Sequence, residues 1–124
     1  MCGRRTATLL ALILSGPAAA GTPPPVEAFA ACAGRLTAQL EHDWLLGAPD
    51  AAATERRRDA LAALLDASVP ARDAARIAAR RADARLAHRA VLSRASFGAD
   101  PDDRAWALRR AERSVAACAA LLLG

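Results

Sequence analysis

The chain has no lysine, no tyrosine and no asparagine, so each of its seventeen cationic side chains is an arginine. Alanine is abundant beside them. Codon supply in a GC-rich genome produces that skew unaided, and arginine content by itself therefore does not point to nucleic acid. Aromatic residues are few, two phenylalanines and two tryptophans, and β-branched residues are scarce, which argues against a sheet.

The signatures of common chemistries are missing as well. Ser68, Ser93, Ser96 and Ser114 all stand outside a G-x-S-x-G context,. There is no C-x-x-C-H for covalent haem and no glycine-rich phosphate loop,. No H-x-x-x-H or E-x-x-H pair and no cysteine cluster prepares a metal site,. Catalysis by paired carboxylates lacks a recognisable cleft. A chain without these features is expected to be no enzyme and to carry no cofactor.

What is present begins with the first twenty residues, MCGRRTATLLALILSGPAAA. Arg4 and Arg5 precede an apolar run from Leu9 to Leu14, and Ala18-Ala19-Ala20 supplies small residues for cleavage, the pattern of a secretory signal peptide,. The run is shorter than the roughly 20 residues that span a bilayer, so no integral membrane segment is expected after cleavage. Cys2 lies before the run and Cys32 well beyond it, which argues against lipidation. Cleavage after Ala20 leaves 104 of the 124 residues and lowers the formal charge from +4 to +2. The expected location is the periplasm or the medium, away from nucleic acid, and the small charge limits any attraction to anionic lipid.

A Pro-rich lead-in, residues 21–25, precedes a single domain expected over 26–124,. Breakers and cap residues divide that domain at Gly47-Ala48-Pro49-Asp50, Ser68-Val69-Pro70 and Gly98-Ala99-Asp100-Pro101,. Four helical segments result. The first, Val26 to Leu46, carries a stripe of Phe29, Cys32, Ala33, Leu36, Leu40 and Trp44,. The second starts near Asp50 or Thr54 and carries Leu61, Leu64 and Leu65. The third runs from Pro70, a residue suited to a first helical position, to about Phe97, with Ala74, Ile77, Ala84, His88, Val91, Leu92 and Ala95 inward,. In the fourth, Asp100 caps, Pro101 presets the first turn, and Asp102 and Asp103 face the positive end of the helix dipole,. Its inward stripe reads Leu108, Ala111, Val115, Cys118 and Leu122, which leaves Trp106 on the arginine side,.

Short connections predict an all-α, antiparallel four-helix bundle of up-down-up-down topology. In that arrangement Cys32, six residues after Val26, and Cys118, six before Gly124, sit at matching depth on neighbouring helices. A Cys32–Cys118 disulfide is the expected staple of an exported chain whose alanine-rich core buries little area.

Three groups of residues are candidates for function. Trp106 with Arg109, Arg110 and Arg113 forms a partner-binding face, since tryptophan and arginine dominate interface hot spots; Arg76, Arg80 and Arg94 extend it,. The structural alternatives are a cation–π pair of Trp106 with Arg110, or Trp106 covering the bundle end near Phe97. His42 and His88 are the only histidines available to a metal. Glu41 and Asp43 would add oxygen ligands, but Glu41, His42 and Asp43 are consecutive on a helix and diverge,. Asp43 and Arg81 project near apolar stripes, where an Asp–Arg or Asp–His pair would set helix register.

Leu36-Thr37-Ala38-Gln39 resembles the L-T-x-x-Q motif of the small periplasmic stress chaperones, which build elongated and usually dimeric helical cradles. The likeness covers four residues, its glutamine comes one place early, and it has no second copy. It transfers no functional residue. The expected role is a non-catalytic, protein-binding accessory module of the cell envelope. A chaperone-like cradle and a metal-binding or metal-sensing protein are the alternatives.

Overall fold

The computed structural model describes residues 25–123. The expected signal peptide, Cys2 within it, residues 21–24 of the lead-in and Gly124 lie outside them. Four α-helices account for nearly all of the rest: α1 Pro25–Leu46, α2 Ala51–Ser68, α3 Ala74–Phe97 and α4 Pro101–Leu123. Pro25 belongs to the first helix instead of the lead-in.

The connections follow from local chemistry. Gly47 adopts a φ of 64° just past the end of α1. The Ala48 N–H bonds the Asp43 carbonyl at 2.8 Å and the Gly47 N–H bonds that of Trp44 at 3.4 Å. This is the left-handed glycine closure that satisfies the last carbonyls of a helix. Asp100 caps α4 with both carboxylate oxygens, which accept from the N–H groups of Asp102 at 3.3 Å and Asp103 at 3.2 Å,. The start of α3 differs from the expectation. Pro70 is extended, with φ −63° and ψ 148°, and a 3₁₀ turn over Ala71–Asp73 precedes the α-helix. Pro70 thus leads a tight turn and does not open α3 itself.

Cys32 and Cys118 are joined, with Cα atoms 5.3 Å apart and 86 residues between them in sequence. Around the bridge lies the larger core: Ala30, Ala33, Leu36, Leu61, Leu65 and Ile77. A smaller cluster of Ala38, Leu92 and Ala111, flanked by Val91, lies further along.

Partners on α1 and α3 ascend together: Glu27 with Arg76, Glu41 with Arg85, and His42 with Ser96. Those on α1 and α4 run oppositely, Cys32 to Cys118 and Ala38 beside Ala111. Both orders are compatible with an up-and-down bundle. The arrangement is not square, however. α1 and α3, which a square bundle would hold apart on its diagonal, make the most extensive contact, while α2 lies chiefly on α1. Gly34 explains why. A Cβ there would fall 2.1 Å from the Arg81 carbonyl oxygen, so only glycine lets the two backbones approach this closely.

Three large members of the expected stripes stand outside the buried set. On α4, Ala107, Ala111 and Cys118 are buried, and Leu108 is 51 % exposed. Trp44 and Leu64 are also exposed. On α4 close helix packing favours alanine at the seam, so the stripe there centres on Ala107, one residue before Leu108,. Ala74 is exposed too, because it stands at the first turn of α3 next to the 3₁₀ turn.

Candidate functional site

The second half of the bundle uses its interior differently. Three buried polar residues, Asp43, Thr54 and His88, come from three helices. The Thr54 hydroxyl donates to one Asp43 carboxylate oxygen at 3.0 Å, and the Gln39 amide nitrogen donates to the other at 2.8 Å. The Gln39 oxygen is 3.1 Å from His88 Nε2. The carboxylate sets the direction of this chain. It accepts only, so it must face the amide NH₂. The amide oxygen then faces the ring, and His88 Nε2 must carry the proton. Burial above all, then Arg35 and His42, lowers the His88 pKa to about 4, so the ring is neutral at neutral pH.

Asp43 therefore has neither an arginine nor a histidine as its direct partner. Gln39 bridges it to His88, and Arg81 contributes only its carbonyl beside Gly34. Sequence reasoning missed Gln39, although it precedes Asp43 by four residues and so shares its helix face.

Above this network an open cleft of about 520 Å³ is framed by the end of α1, the start of α2, the end of α3 and much of α4. Asp43, Thr54 and Gln39 line it together with His42 and Ser96, which are hydrogen-bonded at 2.8 Å. Leu46, Leu92, Leu108 and Val115 supply apolar wall. Among the described residues no group of three histidine, cysteine, aspartate or glutamate side chains could hold a metal ion, His42 and His88 included.

Outside the cleft, the same end of the bundle exposes large apolar side chains: Leu45 at 69 %, Phe97 at 63 % and Trp44 at 58 %. They share this end because α1 and α3 finish side by side, with the His42 and Phe97 rings edge-to-face at 6.2 Å.

Trp106, 40 % exposed, stands at the start of α4. The Arg94 guanidinium lies 5.0 Å from its ring centroid and that of Arg110 5.5 Å. Arg94 is also paired with Asp103, which holds that carboxyl below its ordinary pKa. Arg76 is tied to Glu27 and Asp73. The arginine face is thus partly occupied by contacts within the chain, while Arg109 and Arg113 stay exposed beside it. Trp106 makes the expected cation–π pair with Arg110 and a second one, from α3, that spacing within α4 could not reveal.

Comparison with family models, curated proteins and solved structures finds no match to this chain. Among the described residues no helix is long and apolar enough to cross a membrane.

Proposed function

We propose that this is an exported, non-catalytic binding module of the cell envelope, and that it meets a protein partner at the open end of its bundle. The observation that supports this most is the grouping of Trp44, Leu45 and Phe97 in solvent at one end. Apolar side chains gathered in this way are characteristic of interaction surfaces. Trp106, held upright by two guanidiniums, adds a rigid aromatic anchor at its edge,. The disulfide is compatible with an oxidising compartment,.

The partner's contact surface should combine apolar side chains for this end with carboxylates for Arg109, Arg110 and Arg113, since arginine binds carboxylates in two-pronged fashion. A photo-crosslinking residue placed at Phe97 or Leu45 in the cells that make the protein tests this. A discrete adduct with one envelope protein is expected, weakened by Trp106→Ala and absent when the same group sits at Leu64. Crosslinks that form equally from Leu64, or none from either position at the open end, would overturn the proposal.

A further inference from the structure

The cleft has a chemistry that protein docking at the bundle end does not require. Its deepest charged group is Asp43, more than nine-tenths buried. Among the described residues no cation is paired with this carboxylate; its donors are the neutral Gln39 amide and Thr54 hydroxyl. A carboxylate offers about four acceptor positions, and the donors within the chain use one on each oxygen. The surrounding charge has the same sign. Asp43, Asp50 and Glu112 line the cleft against a single guanidinium, that of Arg57, in a chain whose overall balance is +4. The walls beside them are leucine, valine and alanine.

We infer that this cleft binds a small organic cation, an apolar body ending in a protonated amine. The ammonium would donate to Asp43 on the cleft floor, and the body would lie against Leu46, Leu92, Leu108 and Val115. The volume suits such a ligand, since small-molecule sites generally occupy about 300–1,000 Å³ and pair apolar walls with a few convergent polar groups,. Buried charge gives the selectivity. A carboxylate shielded from water gains from an ammonium what a neutral or anionic ligand cannot return. The positive end of α2, whose first turn carries Thr54, eases the cost of burying Asp43 alone without supplying the donors that an ammonium brings,.

The test uses three probes of one shape, 4-phenylbutylamine, 4-phenylbutanol and 4-phenylbutyrate, titrated into the disulfide-bonded protein by calorimetry. The amine should bind saturably and at least about tenfold more tightly than the alcohol, the effect of one charge-assisted hydrogen bond, and the butyrate should bind weakest. Asp43→Asn, which keeps the volume and one acceptor, should abolish the amine's advantage. Ala116→Trp, which obstructs the cleft without touching Asp43, should block every probe and guards against a misfolded Asp43 variant. Equal binding of amine and alcohol, preference for the butyrate, or undiminished amine binding by Asp43→Asn would each refute the inference. So would amine binding that survives Ala116→Trp. Because these probes do not engage Trp44, Phe97 or Trp106, this inference and the protein-partner reading can fail separately.

Discussion

The two halves of this bundle use their interiors in opposite ways. Around the disulfide, Ala30, Cys32, Ala33, Leu36, Leu61, Leu65, Ile77 and Cys118 close into one apolar core. Towards the other end the purely apolar cluster shrinks to Ala38, Leu92 and Ala111, and buried space passes to the chain from His88 through Gln39 to Asp43 and Thr54. Large apolar side chains there point into solvent or a cleft, although burying them would add stability. A small domain has little stability in reserve, so this division fits the proposed reading, in which the closed half maintains the fold and the open half meets a partner.

Breaking the closed half should have the largest effect. Opening the Cys32–Cys118 bridge releases a loop of 86 residues, worth roughly 4–5 kcal/mol in the chain-entropy description. A reduced sample, or Cys32→Ser with Cys118→Ser, should therefore melt about 15 °C or more below the oxidised protein by circular dichroism. An unchanged melt would show that packing alone closes this half.

Gly34→Ala comes next. The added Cβ would strike the Arg81 carbonyl oxygen at 2.1 Å, and backbone cannot move aside as a side chain can. Forcing α1 and α3 apart should lower stability by about 3 kcal/mol, read as a shift in the urea midpoint. A variant as stable as the parent would mean that the two helices do not meet backbone to backbone.

The polar half should reveal itself through pH. His88 ionises at about 4 in the folded chain and ordinarily at 6.5. Between those values the unfolded chain takes up the proton first. Stability from this residue is thus complete above about pH 6.5 and declines as pH falls towards 4, by a few kcal/mol in all. Denaturant midpoints measured across that window should fall for the parent and much less for His88→Gln. Parallel slopes would remove His88 from the network.

The smallest expected effect on stability belongs to Trp106→Ala. Exposed cation–π contacts contribute about 0.5–1 kcal/mol each, so the melt should shift by only a few degrees even though the residue anchors the proposed partner face. Unfolding of this variant would make Trp106 part of the core and place the boundary between the halves elsewhere.

The helix boundaries and the bridge were largely legible in the sequence. The breakers at Gly47 and Gly98, the Asp100 cap and the matching depths of Cys32 and Cys118 depend on local rules and simple topology, and α1, α2 and α4 begin and end close to where those rules put them. The angular setting of each helix was not legible. Alanine marks a stripe only faintly, and large residues such as Trp44 and Leu108 draw the apparent inward face towards themselves when the real seam follows Gly34, Ala107 and Ala111. Nor could sequence show that Thr54 and His88 join Asp43 and Gln39, because that depends on how three helices rotate against one another. Pro70 illustrates the same limit locally, since a proline suited to a first helical turn also suits the extended residue before one,.

The division of labour between the halves is tested most directly by thermal melting of one triple variant, Trp44→Ser, Phe97→Ser and Trp106→Ser, in the oxidised protein. If these side chains are left in solvent for a partner, cooperative unfolding should persist, with a midpoint within about 10 °C of the parent. Loss of the cooperative transition would contradict this, because it would show that the apolar end is needed to hold the helices together.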